Sequence, residues 1–296
     1  MHHWDKSLLA RKPVENAPHL KFLRLIMHTM KTLFALLLLT CTAIAQQPSP
    51  QATPKSGADF AKTSDQQARD VIAKCIAALG GDAYLNIKDI EQVGRGYGFY
   101  NNAPTGIGIP YWRFYQYPDK ERYEFTEDRK WVIIHNGDKG YEVTFRGTAP
   151  ENAKDHDTYE RRRHYALDYV LRDWIHQPGV AFFYEGTTIV GPKTVYQVTV
   201  MDAQNRGVTL FIDASSFLPI KKSYSWRDPQ YKDMNTEEEL YDEYRPEQGL
   251  PTPHVITRVY NKEIQSQRFI STVKYNTGMS DSLFVPQTLN YNKMKK

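Results

Sequence analysis

The sequence predicts an α+β fold, mainly antiparallel β, in which one large sheet curls and amphipathic helices cover its concave side. Two observations predict it. Twelve short runs rich in aromatic and β-branched residues follow one another between Pro, Gly, Asn and Asp turn signals, the pattern of an antiparallel meander. Two other segments carry apolar residues at helical spacing. A sheet of that many strands curls, and its apolar concave face must be covered. No internal repeat or second linker interrupts the pattern, so residues 63–290 read as one domain.

The chain starts well before this domain. Met30-Lys31, the apolar run from Thr32 to Thr40 and the small-x-small site Ala43-Ile44-Ala45 describe a cleaved secretory signal peptide over residues 27–45, with Met27 or Met30 as its normal start. The apolar run is about half of the roughly 20 residues that a bilayer span requires. Residues 1–26 then read as a mis-called start or a dispensable extension. Leu38-Leu39-Thr40-Cys41 also loosely resembles a bacterial lipobox that would lipidate Cys41, although Thr before the Cys fits it poorly. Residues 46–62, rich in Pro, Ser, Ala and Gln, read as a flexible linker.

Six of the 38 Lys and Arg, and two of the 34 Asp and Glu, precede Gln46, which leaves 32 of each. The formal charge of +4 belongs to the leader. A near-neutral exported domain has no electrostatic basis for binding nucleic acid. Once the leader is gone Cys75 is the only cysteine, so no intramolecular disulfide can form even in an oxidising compartment.

Order is expected to begin near Thr63. Ser64 to Gln67 has capping-box spacing, Val71, Ile72, Cys75, Ile76 and Leu79 share a helix face, and Gly80-Gly81 supplies the stop. Strands are expected at 93–100, 111–117, 122–125, 130–135 and 141–145, with a longer loop at 102–110. A second helix is expected from Asp157 to Ile175. Asp157 to Glu160 gives its capping box, and Ala166, Leu167, Val170, Leu171, Trp174 and Ile175 form one apolar face. Seven more strands follow, at 181–185, 194–201, 208–213, 219–226, 236–244, 254–260 and 265–275. Between the third and fourth of these, Asp213-Ala214-Ser215-Ser216 reads as a turn whose Asp accepts from backbone N–H groups two residues on.

Motifs for chemistry are sparse. The histidines after the leader are His135, His156, His164, His176 and His254, and no two have HExxH spacing. Asp155-His156-Asp157 offers metal-ligand types only in a polar stretch at a helix start, so no metal or cofactor is expected. There is no G-x-S-x-G elbow. Gly94-Arg95-Gly96-Tyr97-Gly98 lacks a P-loop ending and reads as a strand bulge. Arg161-Arg162-Arg163 reads either as a solvated helix face or as a contact for anionic lipid headgroups at the membrane surface. Glu237-Glu238-Glu239 reads as strand-edge charge.

Aromatic residues make up 13% of the chain, enough to line a concave sheet. Such a lining can hold an apolar ligand or can simply be a filled core. The candidate ligand-binding residues are Trp112 and Phe114, Trp131 and Ile133, Phe183 and Phe211 on strands, with Leu171 and Trp174 on the second helix.

The C-terminal half adds an ordered series: Val208 to Asp213, Leu218-Pro219-Ile220, Leu240 to Tyr244, Gly249 to His254, Val273 to Asn276, and Asp281 to Pro286. With the first helix and Gly80-Gly81, this series resembles the exported LolA/LolB/RseB-like superfamily, the outer-membrane lipoprotein-sorting fold. The resemblance spans roughly Thr63 to Pro286. It implies a curved half-barrel with helices plugging its concave face, and a location in the Gram-negative periplasm or at the inner side of the outer membrane. It also implies non-enzymatic binding of lipid or lipoprotein acyl chains, or sensing of envelope state. Greater length and the Asp157–Ile175 helix depart from the lipoprotein carriers. The expected function is thus a carrier or sensor of an apolar molecule held between sheet and helices. The alternative is a protein–protein interaction module with a filled core.

Overall fold

The computed structural model describes residues 57–286. The expectations for the signal peptide, the upstream extension, Cys41 and most of the linker lie outside the described residues.

The first helix, α1 (Gly57–Leu79), begins inside the segment read as linker. Ser64 is therefore not its N-cap. The Ser64 hydroxyl accepts from the Tyr184 backbone N–H at 3.0 Å and donates back to the Tyr184 carbonyl, tying the helix to an edge strand. The stop falls where the sequence places it. Gly80 (φ 124°) and Gly81 (φ 57°) turn the chain, and a Cβ on Gly80 would lie 2.4 Å from Leu250 Cδ2. A single turn, α2 (Asp82–Leu85), leads into the sheet.

The strands are β1 (Asp89–Tyr100), β2 (Ala103–Pro104), β3 (Ile109–Gln116), β4 (Lys120–Phe125), β5 (Trp131–Asn136), β6 (Lys139–Thr144), β7 (Gly147–Pro150), β8 (Ala181–Val190), β9 (Lys193–Met201), β10 (Gly207–Asp213), β11 (Pro219–Arg227), β12 (Met234–Glu247), β13 (Leu250–Tyr260) and β14 (Glu263–Tyr275). They form one open, antiparallel sheet in the order β7-β6-β5-β4-β3-β1-β14-β13-β12-β11-β10-β9-β8, with β2 paired to β1. It is a curved half-barrel. The chain runs outward from β1 to β7, crosses to the opposite edge, and returns from β8 to β14 beside β1. The register of β1 on β14 slips between Val93 and Gly94, where a Cβ would lie 2.3 Å from the Phe269 carbonyl oxygen. The glycine-rich stretch is thus a bulge, as expected.

The crossing segment holds α3 (Ala153–His164), α4 (Leu167–Arg172) and a 3-10 turn, Trp174–His176. The expected single helix is broken. Tyr165 and Ala166 leave helical geometry, with Ala166 extended (ψ 139°). The cap is also earlier than expected: Asn152, not Asp157, accepts the Lys154 N–H at 2.9 Å. The break separates two chemistries. Polar α3 has no fully buried residue, whereas α4 buries Val170 and Leu171, and the 3-10 turn buries Trp174.

The main core lies under α1 and α4 on one half of the concave face. Ala68, Val71, Ile72, Cys75 and Leu79 of α1 pack with Leu171 and Trp174 onto the inward residues of β8–β11, among them Phe182, Val198 and Leu210. A second core lies on the convex face of the other half. There Val132, Ile134 and Val143 are capped by Phe284, with Phe114, Tyr141, Met279 and Leu283 around them. The segment after β14 thus folds back over the outside of β3–β6. Asp89 starts that return by accepting from the N–H groups of Thr277 (2.6 Å) and Gly278 (2.9 Å).

Candidate functional site

The candidate site is the concave face and the α3–α4 segment lying on it. The two halves of this face differ in chemistry. Beneath α1 and α4 it is apolar and closely packed: Cys75, Leu171, Trp174, Val198 and Leu210 are inaccessible to solvent. Burial pushes the Cys75 thiol up to about 12, so it stays protonated and inert.

Toward the middle, beneath α3, the face is charged. On β12, Glu237 and Glu239 point inward, two residues apart as the pleat requires. Glu237 accepts from Arg162 Nε of α3 at 2.7 Å and lies 3.3 Å from Arg258 Nε. Glu239 accepts from Arg258 at 3.1 Å and from the Tyr241 hydroxyl at 3.0 Å, and pairs with Lys222 at 3.0 Å. Burial opposes ionisation of Glu239, but the Lys222 ammonium and the guanidinium groups of Arg258 and Arg268 hold its carboxyl well below the usual range. Buried Lys222 also donates to the Tyr165 carbonyl at 2.7 Å, securing the C-terminal end of α3.

Two sequence readings are corrected by this network. Glu237-Glu238-Glu239 is not edge charge, because β12 pairs on both sides and two of the three carboxylates face inward. The Arg161–Arg163 run is not a free basic face. Arg161 stacks on Trp226 (4.1 Å to the ring centroid), Arg162 meets Glu237, and Arg163 pairs with Glu160 at 2.6 Å.

The eight candidate ligand residues are not brought to one place. Leu171 and Trp174 are in the main core. Trp131 and Ile133 lie on the concave face in the far half, in register with Phe125 and Tyr123. Trp131 is half-exposed, donates to Glu142 at 2.9 Å, and lines an open cleft of about 630 Å³ with Lys130, Phe145 and Arg146. The remaining four point to the convex side. Trp112 and Phe114 stand under Arg129, Phe114 packs on the second core, Phe211 lies beneath Lys221, and Phe183 is out of register with its buried neighbour Phe182. Strand parity alone could not say which face is concave, and the aromatics of β3, β8 and β10 are divided by it.

The Asp213 corner is structural. Its Oδ1 accepts from the Ser215 hydroxyl (2.6 Å), the Ser215 N–H (2.8 Å) and the Ser216 N–H (3.2 Å), and Oδ2 is 3.2 Å from Lys193. Ser215 donates into this turn and is not set against a base.

One cluster was not legible from spacing. His156 does not group with Asp155 and Asp157. It meets His135 of β5 and Glu151 of the β7–α3 turn, and ligand-type atoms of all three lie within 4.8 Å of one another.

No protein-family model matches the sequence, and no curated protein does. Solved structures are similar in fold. A DUF1329 family protein from Desulfovibrio piger aligns with a TM-score of 0.52 at 10% identity, over 74% of this chain and 97% of that one. A LolA superfamily protein from Nitrosomonas europaea aligns at 0.47 and 11% identity, over 74% and 97%. A domain described as an outer-membrane lipoprotein-sorting protein, from Vibrio parahaemolyticus, aligns at 0.48 and 10% identity, over 78% and 100%. The chain shares its overall fold with the DUF1329 family protein. At these identities the likeness is one of architecture, and architecture does not assign a ligand.

Proposed function

We propose that this protein is a non-enzymatic carrier or sensor of the periplasm, exported by a cleaved signal peptide, that takes an apolar or acylated molecule between the β8–β11 half of its sheet and the helices α1 and α4. One observation carries this reading. The main apolar cluster of the sheet is covered by side chains of two helices that share no backbone ladder with it, one of them the six-residue α4 set between breaks at Ala166 and Asp173. Packing without a backbone ladder can be exchanged for an acyl chain, each buried CH₂ contributing roughly 0.8 kcal/mol. The ligand-free protein then keeps its apolar surface plugged, because an open groove of that size would be an exposed patch.

The test is native mass spectrometry of protein purified without detergent from its own envelope, with fluorescent fatty-acid titration beside it. Co-purifying lipid or saturable binding supports the carrier. If neither is seen, the carrier reading fails. The second reading, an interaction module with a filled core, is favoured by the close packing around Trp174 and Leu171. It expects a protein partner in crosslinked envelopes and no lipid.

A further inference from the structure

His135, Glu151 and His156 converge from three elements at the N-terminal end of α3. His135 Nε2 lies 2.8 Å from Glu151 Oε2, and His156 Nδ1 lies 3.3 Å from the same oxygen. Adjacent ligand atoms about 2.0–2.2 Å from a shared tetrahedral metal stand at separations of this order. The hydrogen bonds fix the tautomer of His156. His156 Nε2 is 3.0 Å from the Asp138 carbonyl, which can only accept, so Nε2 carries the proton. In the neutral ring Nδ1 then turns a lone pair toward the Glu151 carboxylate. Two Lewis bases face each other there, which a cation between them would satisfy. A backbone carbonyl on the outer nitrogen is also the usual way a metal-binding histidine is oriented.

The surroundings are built for this convergence. Gly140 of β6 leaves the room, since a Cβ there would lie 2.4 Å from Glu151 Oε2 and 2.7 Å from His156 Nδ1. Glu151 is held by its N–H to the Gly140 carbonyl at 2.9 Å. Tyr159 of α3 stacks on the His135 ring, 4° from parallel, and fixes its plane. Among the described residues the buried His135 Nδ1 has no hydrogen-bond partner, so no outer acceptor fixes this tautomer: Nε2 donates to Glu151 in the metal-free protein, and the proton passes to Nδ1 when Nε2 takes the ion. The cluster borders an open cleft of about 300 Å³ that supplies an entry path.

We infer that His135, Glu151 and His156 form a binding site for one divalent transition metal ion of the zinc class, and that the bound ion pins the N-terminal end of α3 to the sheet. Two imidazoles and one carboxylate suit Zn²⁺, Co²⁺ or Ni²⁺, and not Ca²⁺ or Mg²⁺, which take oxygen ligands. The fourth position would face the cleft. This inference does not depend on what the apolar half of the face binds.

The full-length chain, stripped with chelator, is titrated with Zn²⁺ by calorimetry and with Co²⁺ by visible absorption. One ion per chain with sub-micromolar affinity and tetrahedral-type Co²⁺ bands is expected. His156→Ala and Glu151→Gln are each expected to weaken binding by more than the roughly 10–100-fold that loss of an outer-shell partner costs. They also separate this site from Cys41 and the leader histidines. Circular dichroism melts check that both variants fold, so the test does not hang on buried His135. No saturable binding, binding only at millimolar metal, or binding unchanged in both folded variants overturns the site. Amide exchange over residues 153–164 should slow with metal in the wild type and not in His156→Ala; no slowing at saturating metal overturns the pinning.

Discussion

Replacing Asp213 with Asn removes a charge and leaves the side-chain shape. In the native corner one carboxylate oxygen accepts three hydrogen bonds, from the Ser215 hydroxyl and the N–H groups of Ser215 and Ser216, and the other faces Lys193. Burial pushes this carboxyl up, but those donors outweigh it and bring it from 3.8 down to about 2. The group is therefore ionised more easily in the fold than in the unfolded chain. Its contribution is present above the unfolded value and is lost as pH falls toward the folded one. The size of the shift corresponds to about 2 kcal/mol at pH 7 and roughly half of that at pH 3. For a domain of this length, 2 kcal/mol is about 4–8 °C in melting midpoint. Urea melts of wild type and Asp213→Asn at pH 7 and pH 3 read the effect directly. The difference should narrow at pH 3. An equal difference at both pH values would refute the ionised-turn argument. An unchanged midpoint with lost ligand binding would make Asp213 functional.

Three further outcomes follow from the same structure. Arg258→Met leaves Glu237 and Glu239 short of a shared partner and should cost about 3 kcal/mol, with partial recovery when Glu237→Gln and Glu239→Gln are added; no recovery in denaturant melts would mean Arg258 acts by packing alone. Gly94→Ala puts a methyl against the Phe269 carbonyl and the Tyr111 hydroxyl and should destabilise by about 1–3 kcal/mol, whereas the same change at Gly106, which has open space around it, should be near neutral. Alkylation of inaccessible Cys75, read by peptide mass spectrometry, should speed up about 10-fold or more when a fatty acid binds; bound ligand with an unchanged rate would show that α1 is not displaced.

Most of the architecture was legible because strands and helices write themselves as periods of two and 3.6 residues. The apolar face of the first helix, the Gly80-Gly81 stop, the bulge at Gly94 and the Asp213 turn all follow from local chemistry, whereas the break at Tyr165 and Ala166 in the second helical segment does not. What failed was the assignment of faces. Alternation shows that Phe211 and Leu210 point opposite ways, but not that Leu210 is the residue beneath the helices. The charged centre was missed for a related reason. Glu237, Glu239, Lys222 and Arg258 stand on three different strands, and only the register sets them opposite one another. The alternating Glu-x-Glu of a long strand was the available signal, and it was read as edge charge. His135 and Glu151 are separated by a hairpin and a short edge strand, so no sequence spacing expresses their contact with His156.

The topology itself explains why α3 and α4 lie where they do. After β7 the chain stands at one edge of the sheet, and β8 is at the other. Laid flat, the path between them would cross about 58 Å at the usual strand spacing. Curling shortens that path on the concave side and lengthens it on the convex side, so a crossing of modest length must pass through the hollow. Once there it must satisfy what it meets. Over the apolar β8–β11 half it offers Val170, Leu171 and Trp174; over the charged middle it offers Arg162 and the Tyr165 carbonyl. The break at Tyr165 and extended Ala166 is the joint between these two surfaces. A helix continued through it would carry one stripe across both, and would set either arginine over the apolar core or leucine over Glu237. In the proposed carrier, the break would let α4 leave the apolar half while the ionic contacts of α3 persist.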